Sequence, residues 1–167
     1  MAADFEQIYD DHVWAVYGFV AYRVRSQADA EDLTQATFER ALRAWGRFDA
    51  KRATPRTWLL AIASNLLIDH YRRDRSGSQQ PLEDSGFDLR GEASGPEDQL
   101  GIDPDLAAAL DALSGRDRQV VALRFGGDLK GPEIAELLDL SIANVQQILS
   151  RALRRLRAQL EPTPNQR

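Results

Sequence analysis

The chain has 167 residues, of which 43% are hydrophobic and 28% charged, and a formal net charge of −5. That length suits one ordinary domain or two small ones, and the balance excludes a disordered or fibrous chain. With no cysteine and only His12 and His70 as histidines, it excludes a disulfide framework, a thiolate zinc site and a thiol switch, so neither metal nor cofactor is expected.

The charge is unevenly spread. Residues 1–75 hold 11 basic and 11 acidic residues, residues 76–105 one basic and eight acidic, and residues 106–167 nine basic and seven acidic. The middle stretch is rich in Gly, Ser, Pro, Asp and Glu and lacks a helical apolar period, which marks a linker. At about 30 residues it exceeds the loops usual inside compact domains. The expected organisation is therefore a helical unit over 1–75, a flexible acidic linker over 76–105, a second helical unit over 106–160, and a tail over 161–167. No apolar run nears the ~18 residues of a membrane span. The acidic N-terminus is wrong for a signal peptide, so a cytoplasmic protein without membrane insertion is expected.

In chain order, Phe5, Ile8, Tyr9, Val13, Val16, Tyr17 and Val20 recur at steps that predict an amphipathic helix. A second helix is predicted to start at Asp29 as N-cap. Its apolar arc holds Leu33, Phe38, Ala41, Leu42, Ala44 and Trp45, and its polar arc Asp29, Asp32, Gln35, Glu39, Arg40 and Arg43. A basic, aromatic loop follows, with Arg47, Phe48, Lys51, Arg52 and Arg56. Beyond Pro55 a third helix buries Leu59, Ile62, Ala63, Leu66 and Leu67 and presents Asn65, Asp69, Arg72 and Arg73 on another side. Cations interleaved with rings suit single-stranded nucleic acid, since guanidinium groups track phosphates and rings stack on bases. Trp45, Phe48 and Trp58 equally suit a core.

The C-terminal half opens with an apolar helix around Leu106, Ala109, Leu110 and Leu113. Ser114, with Asp117 three residues on, caps the next helix. The stretch GPEIAELLDLSIANVQQILSRALRRLR then reads as a helix-turn-helix. Pro132 sits in the first turn of one helix, Asp139-Leu140-Ser141 forms the turn, and Ser141 caps the second helix. A helix entering the major groove needs base-reading side chains near its N-terminus and cations along its length. Asn144, Gln146 and Gln147 supply the first; Arg151, Arg154, Arg155 and Arg157 supply the second, and Ser141 and Ser150 complete the expected DNA-binding set. A plain helical bundle with a solvated basic face is the competing reading. No P-loop, nucleophile elbow or metal-ligand cluster appears, so no catalytic residue and no enzyme activity are expected.

Three stretches, DAEDLTQATFERALRAWGRF, TWLLAIASNLLIDHYRR and LRFGGDLKGPEIAELLDLS followed by RALRRLR, give the chain its family likeness. In their order and spacing it resembles the extracytoplasmic-function (ECF) group of sigma-70 RNA polymerase sigma factors. That resemblance implies an all-α chain of two small domains, one like sigma region 2 and one like sigma region 4. It implies polymerase core as partner, through its clamp helices and flap, together with promoter DNA and an anti-sigma factor. It assigns Asp29, Glu31, Asp32, Gln35 and Glu39 to polymerase binding. Arg47, Phe48, Lys51, Arg52, Arg56, Asn65, Asp69, Arg72 and Arg73 go to the −10 element, and the helix-turn-helix set to the −35 element. Ala36 stands where the family often has glutamate, Asp139 where the turn usually has glycine, and Gln146 and Gln147 replace a Lys-Ser pair. A stand-alone helix-turn-helix regulator is the alternative, which leaves the aromatic and basic first half unexplained. The linker suits either an acidic strand in a basic channel or a solvated tether, and a tether implies that the halves move independently.

Overall fold

The computed structural model describes residues 2–76 and 103–161, and among these every regular element is helical. The expected linker lies almost wholly outside the described residues, as does the tail beyond Glu161. The first half comprises α1 (Ala2–Ala21), α2 (Gln27–Ala44), a short 3-10 turn (Trp45–Arg47) and α3 (Pro55–Ser76). The second comprises α4 (Pro104–Asp111), α5 (Gly115–Val121), a π turn (Ala122–Gly126), α6 (Gly131–Leu138) and α7 (Ile142–Leu160).

Local chemistry explains most boundaries. Asp103, Ser114 and Ser141 cap α4, α5 and α7, each accepting a hydrogen bond from a backbone N–H of the first turn. The Glu133 carboxylate accepts from the Lys130 backbone N–H at 3.0 Å, which fixes the start of α6. The start of α2 differs from expectation. Ser26 is its N-cap, with its hydroxyl accepting from Asp29 N at 3.0 Å, and Asp29 lies inside the first turn. A serine accepts that hydrogen bond while leaving Asp29 free to act on the helix dipole. The apolar arc of α2 also differs. Leu42 is 54% exposed, while Thr34 and Thr37 are buried, their hydroxyls donating to the carbonyls of Ala30 and Leu33 at 2.7 Å. Back-bonding satisfies a threonine inside a helix and lets it face the core.

The two halves are packed against each other. One continuous apolar cluster joins Val16, Phe19 and Val20 of α1 and Leu59, Leu60, Ala63 and Leu67 of α3 to Val120, Leu123, Leu129 and Ile134 of the second half. A smaller cluster of Ala109, Leu110, Leu113, Val121, Ala152 and Leu156 binds α4, α5 and α7 together. The two halves, expected to move independently on a tether, touch through this cluster in the described residues. Each unit is near the size at which a private core is marginal, so shared burial is the physical reason.

The seam depends on two glycines. Gly18 lies inside α1, where glycine costs about 1 kcal/mol relative to alanine. A Cβ on Gly18 would stand 2.5 Å from the carbonyl oxygen of Gly126, and one on Gly126 would stand 2.5 Å from that of Gly18. Backbone thus meets backbone across the halves, and only glycine permits it. Polar ties flank this contact. Arg118 Nε donates to Tyr22 O at 2.8 Å, Arg25 pairs with Asp111 at 3.2 Å, and Arg56 pairs with Asp128 at 3.3 Å.

The helix-turn-helix forms as expected. Asp139, exposed at the C-terminus of α6, takes the left-handed conformation at φ 56°, which L side chains adopt at a cost. Asp139→Gly is expected to stabilise the fold by ~0.5–1 kcal/mol, seen as a raised midpoint in thermal unfolding followed by circular dichroism.

Candidate nucleic-acid interface

On α7 the capped start presents Asn144, Gln146, Gln147 and Ser150 to solvent, while Val145, Ile148, Ala152 and Leu156 turn inward. Ser141 Oγ accepts from Asn144 N at 3.0 Å, which fixes the first turn of this helix. Ala143, Gln146, Gln147, Ser150, Arg151 and Arg154 line a shallow depression of about 580 Å³. Amide groups on one exposed turn offer the paired donor and acceptor pattern that suits adenine edges.

The arginines of α7 are not equivalent. Arg151 grips the buried carboxylate of Asp117, with Nη2 at 2.7 Å and Nε at 3.2 Å, and Arg155 stands 4.0 Å from the same group. The hydrogen bond to Asp117, then its charge, raises the Arg151 pKa further. Arg151 is expected to be a phosphate-facing cation; its exposed guanidinium also fastens α7 to α5. Arg154 Nε donates to the Ser150 carbonyl at 3.4 Å, and Arg157 stands 3.8 Å from Glu161.

In the first half, Arg47, Lys51, Arg52, Asn65, Asp69, Arg72 and Arg73 are exposed along the basic loop and one side of α3. Phe48 is half-buried. It stacks on Trp45 at 5.1 Å between centroids and 10° between planes, and lies 4.8 Å from Trp58. With Phe5 beside Trp45 at 5.6 Å, these rings staple the loop to α1 and α3, as the core reading has it. Arg56 is also engaged: Nη1 donates to the carboxylate and the carbonyl of Asp128 at 3.3 and 3.4 Å, and Nε donates to His12 Nδ1 at 3.5 Å. Along α3, Asn65 lies nine residues beyond Arg56, ~13 Å at the helical rise of ~1.5 Å per residue.

The acidic set lies along α2. Asp29 is half-buried, with its carboxylate 3.8 Å from His70 Nε2, while Glu31, Asp32, Gln35 and Glu39 are exposed. Gln27 donates to Glu31 at 3.0 Å and Gln35 to Glu39 at 3.1 Å. Beside this ridge runs a groove of about 840 Å³ between α1 and α2. Tyr9, Trp14, Tyr17 and Phe38 contribute its apolar lining, and Glu31, Gln35 and Glu39 its polar edge, acidic at the two glutamates. Tyr9 and Leu42 were expected to be buried but are 44% and 54% exposed, and Trp14 is 78% exposed. Trp14 stands off the three-and-four apolar repeat of α1, and that position is the one signal in the sequence that marks it. Among the described residues no group of three or more acidic or histidine side chains could hold a metal ion, and no helix is long and apolar enough to cross a membrane.

Residues 8–77 match the Sigma-70 region 2 family and residues 109–158 the Sigma-70, region 4 family. The ECF RNA polymerase sigma factor SigX of Bacillus subtilis is 30% identical over 96% of this chain and 86% of its own length. BldN of Streptomyces coelicolor, also named an ECF RNA polymerase sigma factor, is 34% identical over 91% of this chain, which spans 58% of BldN. Among solved structures, the sigma factor RpoE in complex with the anti-sigma factor NepR from Bartonella quintana has the same fold. It gives a TM-score of 0.72 at 20% identity, covering 96% of this chain and 99% of that one. CnrH, solved with the cytosolic domain of CnrY, gives 0.64 at 23% identity over 96% and 89%.

Burial, followed by the Arg56 charge, lowers the His12 pKa below its ordinary 6.5, against an opposing effect of Asp11. A depressed histidine pKa gives stability that is present above about pH 6.5 and is lost as pH falls through the folded-state value. The thermal midpoint should therefore drop on acidification below pH 6.5. His12→Gln should flatten that part of the profile, as measured by unfolding at a series of pH values.

Proposed function

The chain belongs to the ECF group of RNA polymerase sigma factors, and from that premise we propose how its surfaces direct promoter-specific initiation. As a sigma factor it acts by binding, without covalent chemistry of its own. The acidic ridge of α2, with Asp29, Glu31, Asp32, Gln35 and Glu39, docks on the polymerase clamp helices through charge-assisted hydrogen bonds to their arginines. The second half contacts the flap and lays α7 in the major groove of the −35 element. There Asn144, Gln146 and Gln147 read bases, while Ser141, Ser150, Arg154 and Arg155 hold the backbone. Arg47, Lys51, Arg52 and Arg56, with Asn65, Asp69, Arg72 and Arg73 on α3, receive the non-template strand of the −10 element. Unstacking a base costs a few kcal/mol, which binding to this strand must offset.

One observation carries the reading. The capped first turn of α7 holds Asn144, Gln146 and Gln147 in solvent on a unit whose partner carries a separate basic face. The stand-alone regulator is the weaker reading, because the region 2 match covers the half it leaves unexplained. The chain works in the cytoplasm, where its polymerase is, and an anti-sigma factor binds it, as the anti-sigma factor NepR is found in complex with RpoE.

Run-off transcription on a library of random promoter sequences tests this. With core polymerase, the full-length chain should enrich one bipartite motif; enrichment equal to core alone would refute the reading. Arg154→Ala should lower the salt slope of −35 duplex binding by about 0.9. Arg151→Ala should lower it less, because Asp117 already neutralises that cation.

A further inference from the structure

We propose that Arg151 reads a guanine of the −35 element, and that the buried Asp117 is the positioning residue that aims it. This inference rests on the functional reading above, in which Arg151 has no part. It adds one base pair that the recognition helix demands and the buried group that sets that demand.

The pair is built as a brace. Asp117 lies in the first turn of α5 and is 1% exposed, so it touches no DNA itself. Its carboxylate takes the guanidinium side-on: Oδ1 accepts from Nη2 at 2.7 Å and Oδ2 from Nε at 3.2 Å. A guanidinium carries five N–H donors in a planar fork. The brace uses one on Nε and one on Nη2, and it leaves both on Nη1 and the second on Nη2. Those at the tip of the side chain, one from each terminal nitrogen, run parallel and match the O6 and N7 acceptors of guanine. The Arg151 side chain is 49% exposed and lines the same depression as Gln147, Ser150 and Arg154. The tip is thus open to a ligand while the side edge is held by the core.

Charge and direction separate a base from a phosphate as the target. A phosphate is drawn by net charge, and the Asp117 carboxylate offsets that of Arg151 at 2.7 Å. A base edge is recognised by the direction of its donors and acceptors, which the brace fixes before DNA arrives, with little rotamer freedom left to lose. Arg155, 4.0 Å from the same carboxylate, adds a second cation, so the buried charge stays compensated while Arg151 engages a base. Position along α7 gives the register. Asn144, Gln147 and Arg151 share one exposed stripe. At a rise of ~1.5 Å per residue, Arg151 stands ~6 Å along the helix from Gln147 and ~10 Å from Asn144. Those distances correspond to about two and three base pairs at ~3.4 Å each. The guanine therefore lies about two base pairs from the base that Gln147 reads.

The test uses holoenzyme assembled from core polymerase and the full-length chain, with promoter binding read by anisotropy on the motif enriched in run-off. Replacing that one G·C pair by A·T should weaken binding ~10-fold, and 7-deazaguanine there, which lacks only the N7 acceptor, should weaken it several-fold. Arg151→Lys keeps the charge but not the fork, and should bind all three promoters within about 2-fold of one another. Asp117→Asn should lose most of the same discrimination while keeping that at the Gln147 position, with helix content unchanged by circular dichroism. Added to Arg151→Lys, it should cost no further discrimination at the guanine. A motif without guanine at that position would overturn the inference. So would a parent chain indifferent to 7-deazaguanine, or an Arg151→Lys chain that still prefers guanine. An Asp117→Asn chain that binds every promoter more weakly yet keeps its preference would overturn the positioning role. Failure of the functional reading looks different: run-off then enriches no motif at all, whereas an enriched motif indifferent to that base pair ends this inference alone.

Discussion

Shared burial across two undersized helical units is the constraint on which this molecule turns. Neither α1 with α3 nor the helices after Asp103 closes its own apolar surface. Phe19, Leu60 and Leu67 on one side need Leu123, Leu129 and Ile134 on the other. Association brings backbones into contact at Gly18 and Gly126. That contact in turn fixes where the loop through Asp128 lies, and so which of the basic side chains is engaged. The placement of Arg56, a residue of the proposed nucleic-acid face, is thus set by core packing some way off.

A second constraint operates inside the C-terminal unit. Asp117 is 1% exposed, and a buried carboxylate without partners would be strongly destabilising. Arg151 and Arg155 supply the compensation from α7. The recognition helix is thereby held at a fixed rotation against α5, with its amide-bearing turn facing outward. Specific readout needs such rigidity, since a bidentate contact to a base tolerates little angular error. The same bond that positions the helix pairs one of its exposed cations with the Asp117 carboxylate.

Much of this was legible in the sequence. The caps at Ser114 and Ser141, Pro132 in the first turn of α6 and the left-handed turn at Asp139 all act through neighbours within four residues. Local chemistry of that kind is written in the order of the residues. The long-range ties were not legible. Nothing near Arg151 in sequence points to Asp117, 34 residues away, and nothing near Arg56 points to Asp128, 72 residues away. The buried threonines of α2 escaped for another reason: a hydropathy pattern counts a back-bonded threonine as polar although its hydroxyl is satisfied within the helix. Leu42 and Tyr9 show the converse, since an apolar residue on a surface groove reads as core when only periodicity is used. Phe48 is open between two roles that composition alone does not separate; it is half-buried and stacks on Trp45.

These features bear together on how strongly the chain holds DNA by itself. Phosphate neutralisation supplies most of the sequence-independent affinity, at a slope near −0.9 per contact for duplex DNA. Here Gln146 and Gln147 bring no charge, Arg151 is bound to Asp117, and Arg157 stands beside Glu161. Arg154 is left as the recognition-helix cation without an acidic neighbour among the described residues, with Arg155 at 4.0 Å from Asp117. On the other half Arg56 is drawn to Asp128. Under the proposed function a recognition helix with so few available cations gains little from the −35 element alone, whereas Arg47, Lys51, Arg52, Arg72 and Arg73 stay exposed on the first half. Its affinity has to come from engaging both at once, where the second contact is made at the high effective concentration set by the tether. Polymerase, by holding the two units apart at the right spacing, would supply that geometry. On the proposed function, weak single-site binding keeps an unassisted sigma factor from occupying DNA to no purpose.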